Sequence, residues 1–190
     1  MTKDFSWSAG LLVGGNSSRM GQDKATVLFE GKMLWQRQVD LLKKLSPKQI
    51  LISGRKDGPY MAEPYKTVLD VETGRGPLAG LAALLEVCET SHLLVLAVDM
   101  PWMNEEVLSR LLSFRKGVVP KRDGWWEGTA AVYPVTLLPL VQKILRSQEN
   151  SFQSLIRQGL ASGLLQTWEL ETELYGAFES LNYPDQLPKT

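Results

Sequence analysis

The chain has 190 residues, of which 44% are hydrophobic and 22% charged, a size and composition that suit one globular domain and exclude a disordered or fibrous chain. Its 21 basic and 21 acidic residues cancel with no long run of either sign, which argues against nucleic acid or an anionic membrane as a general partner, so any anionic ligand must meet a local site. The lone cysteine, Cys88, cannot form an internal disulfide, the N-terminal stretch lacks signal-peptide order, and no apolar run reaches the roughly 18 residues of a membrane span, so the expected compartment is the cytoplasm.

In chain order, Leu11 to Val13 reads as a buried first strand running into Gly14-Gly15. Leu34, Trp35, Val39, Leu42 and Leu45 recur at helical spacing and predict an amphipathic helix that ends before Pro47. Ile50 to Ile52 and Val68-Leu69 read as central strands, the second closing on Asp70. A helix from about Pro77 to Val87 takes proline at its start, where a missing N–H costs little. Leu93 to Val98 is the clearest strand and delivers Asp99; Asn104 then caps a helix carrying Val107, Leu108, Leu111 and Leu112. Strand segments at Val118-Val119, Thr129 to Tyr133 and Leu165 to Trp168 follow, with helices over about Val135 to Arg146 and Phe152 to Leu160. This alternation predicts a three-layer α/β fold, a mostly parallel Rossmann-like sheet with helices on both faces, in which ligands sit beyond the carboxyl ends of the strands. Residues 1–190 read as a single domain, regular to about residue 100 and less regular thereafter.

The strongest chemical signal is the segment Leu12-Val13-Gly14-Gly15-Asn16-Ser17-Ser18-Arg19-Met20-Gly21-Gln22-Asp23-Lys24 directly after the first strand. Glycines let backbone N–H groups approach phosphate oxygens, and Arg19 and Lys24 add positive charge for a polyphosphate. It is not a Walker A loop, because Gly21 is followed by Gln22 rather than by lysine and a hydroxyl residue. Asp70 and Asp99 both end predicted strands, so the parallel-sheet model brings them to the edge that carries this loop. A hard cation such as Mg2+ binds one or two carboxylates together with substrate phosphates, which makes Asp99 the candidate metal ligand.

Other patterns are set aside. Gly74-Arg75-Gly76-Pro77-Leu78-Ala79 imitates a dinucleotide fingerprint, but a polar segment separates it from its strand. His92, the only histidine, leads into a buried strand, and no G-x-S-x-G elbow supports serine chemistry. Cys88 reads as packing, as does the pair Trp125-Trp126, although such rings could stack on a flat ligand.

The first motif resembles the LAGG-x-S-x-RMG-x-DK signature of the molybdenum cofactor guanylyltransferases, with Val13 in place of the usual alanine. Leu-Ala-Val-Asp99-Met-Pro101 resembles that family's strand followed by Asp-x-Pro, Gly76-Pro77-Leu78-Ala79-Gly80 its GPLAG segment, and Phe178 to Asp185 its closing F-x-N-[IV]-N-T-P-[ED] run, from which Ser180 and Tyr183 depart. The resemblance implies transfer of GMP from GTP to molybdopterin with release of pyrophosphate, assisted by Mg2+, and molybdoenzymes or their chaperones as recipients of the product. It implies a nucleotide site of Leu12, Val13, Gly14, Gly15, Lys24, Ser53, Asp70 and Asp99, with Asp70 accepting from guanine. It further implies Arg19, Lys24 and Asp99 as the catalytic set, and Asn182 on the acceptor or metal side. A cytidylyl- or sugar-nucleotidyltransferase, or a noncatalytic GTP-binding adaptor, would use the same loop.

Overall fold

The structure is a computed structural model and describes residues 5–13, 23–62, 64–69, 76–147, 149 and 151–182. Ten strands are described: β1 (Trp7–Leu12), β2 (Leu28–Phe29), β3 (Lys32–Met33), β4 (Ile50–Gly54), β5 (Lys66–Leu69), β6 (His92–Ala97), β7 (Val118–Arg122), β8 (Trp125–Trp126), β9 (Ala130–Pro134) and β10 (Gln166–Glu169). The helices are α1 (Leu34–Lys44), α2 (Pro77–Glu86), α3 (Glu105–Ser113), α4 (Leu138–Leu145) and α5 (Phe152–Ala161). Short 3₁₀ turns cover Lys24–Thr26, Pro59–Ala62, Val135–Leu137 and Thr172–Phe178.

Among the described residues the main sheet runs β10-β7-β9-β6-β1-β4-β5, with β8 paired on β7, and β2-β3 forms a separate hairpin. β1 pairs in parallel with β4 and β6, β4 with β5, and β10 with β7. β9 runs antiparallel to β6 and β7. Two reversals leave β7 pointing the same way as β6, so the carboxyl ends of β5, β4, β1, β6 and β7 share one edge. The expected alternation of strands and helices is therefore present, with one reversed strand in the sheet's centre.

Side chains along β6 explain the three layers. Leu94 and Leu96 point into a core shared with Val39 and Leu42 of α1 and Leu108 and Leu111 of α3. Leu93 and Val95 point the other way, against Leu81 and Leu84 of α2 and Val141 of α4. A strand buried on both faces needs this continuous apolar run, and each such side chain contributes roughly 1.5–3 kcal/mol on burial.

The helix ends follow their sequence signals. Asn104 caps α3 by accepting from the Val107 N–H at 3.0 Å, with Glu105 and Glu106 in the first turn where the helix dipole favours acids. Ser151 caps α5 through the Ser154 N–H. Pro77 opens α2 after Gly76, whose φ of +69° suits only a residue lacking Cβ.

Candidate active site

Three strand ends lie level. Leu12 pairs across to Ser53 of β4 on one side and Ala97 of β6 on the other. The ladder continues one step further: the Val13 N–H donates to the Ser53 carbonyl and the Val98 N–H to the Leu12 carbonyl, both at 2.9 Å. Leu12, Val13 and Ser53 are all buried, so the base of the site is a rigid sheet edge. Asp99 stands just beyond it.

Lys24 reaches this edge from a 3₁₀ turn. Asp23 caps that turn by accepting from the Ala25 N–H at 3.0 Å, and its second oxygen accepts from Arg55 Nη2 at 2.6 Å. Lys24 Nζ then donates to Asp99 Oδ2 at 2.7 Å and to Asn182 Oδ1 at 3.0 Å. The backbone reinforces the meeting, since the Leu181 N–H donates to the Asp99 carbonyl at 2.7 Å. The structure thus gathers Lys24, Asp99 and Asn182 in one cluster, beside the strand ends that carry Leu12, Val13 and Ser53. Gly14, Gly15, Arg19 and Asp70 lie outside the described residues.

The turn after β6 is anchored from α1. Gln38 Nε2 donates to the Met100 carbonyl at 2.6 Å, and Arg37 Nε donates to the Pro101 carbonyl at 2.8 Å. Sequence reading missed both residues and Arg55 as well, and it gave Asp23, within the first motif, no role of its own. For Gln38 a signal existed: it sits on the stripe of Leu34, Trp35, Val39 and Leu42, where an apolar residue is expected. Arg37 and Arg55 read as ordinary solvated charges until the fold places them.

Other candidates fall away from this cluster. His92 begins β6, at the end opposite Asp99, with Nδ1 2.9 Å from Ser91 Oγ; burial lowers its pKa. Cys88 is half-buried beside Thr90. Trp126 donates through Nε1 to Thr167 Oγ1 at 3.2 Å, whereas Trp125 is 68% exposed, so the packing role expected of the pair holds for one ring only. On the same edge as Asp99, Arg122 at the end of β7 bonds Glu127 at 3.0 Å and Glu179 at 2.7 Å. Burial raises the carboxyl pKa of Glu127, and Arg122 partly opposes that rise.

The family resemblance in the sequence implies a divalent cation, and the residues present fit one of the hard type. The Lys24 ammonium is already a cation held between a carboxylate oxygen and a carboxamide oxygen, and hard metals take such oxygen donors. Among the described residues no group of three or more His, Cys, Asp or Glu side chains could form a closed cage. Among the described residues, no helix is long and apolar enough to cross a membrane.

Lysine, carboxylate and carboxamide are thus gathered at the carboxyl edge of a doubly covered α/β sheet. The chain belongs to the MobA-like NTP transferase family, whose domain model matches residues 9–163. A "probable molybdenum cofactor guanylyltransferase" of Opitutus terrae is 35% identical over 160 residues, covering 78% of each chain. A molybdenum cofactor guanylyltransferase of Pseudomonas putida is 29% identical over 160 residues, covering 81% of this chain and 84% of its own. The crystal structure of molybdopterin-guanine dinucleotide biosynthesis protein A from Archaeoglobus fulgidus superposes with a TM-score of 0.74 at 24% identity, covering 94% of this chain and 93% of that one. A 2-C-methyl-D-erythritol 4-phosphate cytidylyltransferase from Thermus thermophilus does so at 0.66 and 16%, with 93% coverage of both. Both superpositions bear on the fold. Asn182 lies beyond the span that the family model matches, yet its side chain bonds Lys24.

Proposed function

We propose that this chain transfers GMP from GTP to molybdopterin, forming molybdopterin guanine dinucleotide and pyrophosphate, with Mg2+ as the metal and the cytoplasm as the compartment. The observation that carries this reading is the junction of Lys24, Asp99 and Asn182 at the strand edge, in a chain whose relatives bear the guanylyltransferase name.

In the proposed reaction a phosphate oxygen of the acceptor attacks the α-phosphorus of GTP. The new O–P bond forms as the bond to the bridging oxygen of the β-phosphate breaks, and pyrophosphate leaves. The attacking group is already an anion, so no strong general base is needed, and catalysis consists of alignment and charge neutralisation. Lys24 exchanges part of its bonding to Asp99 for an α-phosphate oxygen, and Arg19 offsets charge on the departing pyrophosphate. Asp99 would hold Mg2+, which would supply neutralisation of phosphate charge. Leu12, Val13, Gly14, Gly15, Ser53 and Asp70 serve the nucleoside and its phosphates, with Asp70 accepting from guanine N–H groups. Asn182 orients Lys24 and faces the acceptor. Residues 1–190 act as one domain, its second half contributing the acceptor's pocket, and molybdoenzymes or their chaperones would receive the product.

The test is incubation of the purified protein with Mg2+, molybdopterin and each of GTP, CTP, ATP and UTP, reading pyrophosphate and the nucleotide-bearing product. Product with GTP alone supports the reading, whereas preference for CTP, or silence with all four, removes it. Asp99→Asn is expected to abolish turnover, and an unchanged rate takes Asp99 out of the mechanism.

A further inference from the structure

Gln38 is a polar side chain where the pattern of α1 calls for an apolar one. It is 1% exposed among Leu34, Trp35, Val39 and Leu42. An amide buried among apolar groups is costly unless hydrogen-bonded, and its Nε2 donates to the Met100 carbonyl at 2.6 Å.

That carbonyl belongs to the turn bearing Asp99. Three successive carbonyls of this turn each take a donor from elsewhere in the chain: Asp99 from the Leu181 N–H at 2.7 Å, Met100 from Gln38 at 2.6 Å and Pro101 from Arg37 at 2.8 Å. The Met100 carbonyl also accepts from the Met103 N–H at 3.1 Å, within the turn, and Pro101 has no N–H to offer. Two of the three anchors come from adjacent residues of α1.

The same helix is tied to the segment that carries Lys24. The Leu34 N–H at the head of α1 donates to the Val27 carbonyl at 2.9 Å, and the Val27 N–H donates to the Lys24 carbonyl at 3.2 Å. One helix is therefore bonded to both sides of the Lys24–Asp99 pair and fixes how far apart they stand. A second contact between the same two segments lies further along, where Phe29 and Trp102 meet edge to face at 5.5 Å and 87°.

We propose that Gln38 is a positioning residue of this site: by holding the Met100 carbonyl it sets the Asp99 carboxylate against Lys24 and Asn182. Its effect on rate rests on the nucleotidyl-transfer reading; its effect on the geometry of the cluster does not. Gln38→Met keeps the volume and removes the donor.

Two measurements on the full chain test this. In nuclear magnetic resonance, the Asn182 side-chain amide signal is compared among wild type, Asp99→Ala, Gln38→Met and Leu84→Ala, the last loosening the core on the other face of the sheet. The signal in Gln38→Met is expected to move toward its position in Asp99→Ala and to stay at the wild-type position in Leu84→Ala. An unmoved signal in Gln38→Met overturns the proposal.

In the GTP and molybdopterin assay, Gln38→Met is expected to lower kcat by about 10- to 100-fold, the scale of a small misplacement of a reacting group. The KM for GTP should stay within about threefold, since ground-state binding is little affected. Gln38→Glu should regain rate relative to wild type as pH falls, because only the protonated carboxyl can donate to the Met100 carbonyl. Wild-type kcat in Gln38→Met overturns the role. If wild type itself fails to turn over, the guanylyl-transfer reading falls, and the resonance comparison still decides the place of Gln38.

Discussion

Replacing Lys24 by methionine separates what the Lys24–Asp99 pair does for folding from what it does for chemistry. At 2.7 Å and an effective dielectric near 20, the gross Coulomb attraction is about 6 kcal/mol. Most of that is offset, because bringing both ions to a partly buried position costs several kcal/mol each. The two side chains keep 19% and 22% of their exposure, so water still screens them, and the net loss of stability should be about 1–2 kcal/mol. In a domain of this size that lowers Tm by about 2–8 °C.

The chemical loss is larger. Removing one charged donor aimed at a reacting phosphate costs about 10²- to 10³-fold in kcat. Calorimetry and pyrophosphate release on the same preparation therefore diverge: a fully folded variant at the assay temperature with a rate down by at least two decades. A double-mutant cycle with Asp99→Asn, read by urea unfolding, should return a coupling of about 1 kcal/mol. A Lys24→Met rate within about threefold of wild type refutes a role at the α-phosphate. An activity loss that only tracks the unfolded fraction makes the lysine structural.

Two further outcomes are expected. A Cβ on Gly54 would lie 2.1 Å from the Tyr60 hydroxyl oxygen and 2.5 Å from ring carbon Cζ; Tyr60 is buried and accepts from the Arg55 N–H at 2.6 Å. Gly54→Ala should therefore destabilise by about 1–3 kcal/mol, seen as a lower urea midpoint at unchanged m, and an unchanged midpoint would mean that the ring moves freely. For His92, burial places the folded pKa below the ordinary 6.5, so between the two values the unfolded chain holds the proton and the folded chain does not. Stability from this group is present above about pH 6.5 and is lost as pH falls through that window. His92→Gln should flatten this part of the urea-midpoint profile between pH 5 and 8, and identical slopes in the two proteins refute the assignment.

The sequence made the frame of the molecule readable wherever a periodic run ended in a chemical signal. Leu93 to Val98 is apolar on both faces because β6 is covered on both sides, and its last strand residue precedes the aspartate by only two positions. Asn104 and Pro77 mark helix starts because each supplies a donor-acceptor match, or a missing donor, that the helix end requires. The reversed direction of β9 was not readable, since the continuous apolar run Ala130 to Tyr133 says that the strand is buried but not which way it runs. Trp125 and Trp126 form a two-residue strand too short to show any period. Lys24, Asp99 and Asn182 each carried a motif, but their contact depends on the return of the C-terminal segment along the Asp99 carbonyl, a tertiary fact. Gln38 was visible as an exception in an amphipathic stripe, and only the turn above it gives that exception a purpose.

The bond between Lys24 and Asn182 spans 158 positions, which gives the site a place in time as well as in space. Chains are synthesised at about 5–20 residues per second, so roughly 8–30 s separate the two residues during translation. β6 ends at Ala97, so only in the later part of that interval can the sheet from β1 to β6 form, and it does so before the segment carrying Asn182 exists. The lysine and aspartate sides of the site are thus laid down well before their carboxamide partner is made.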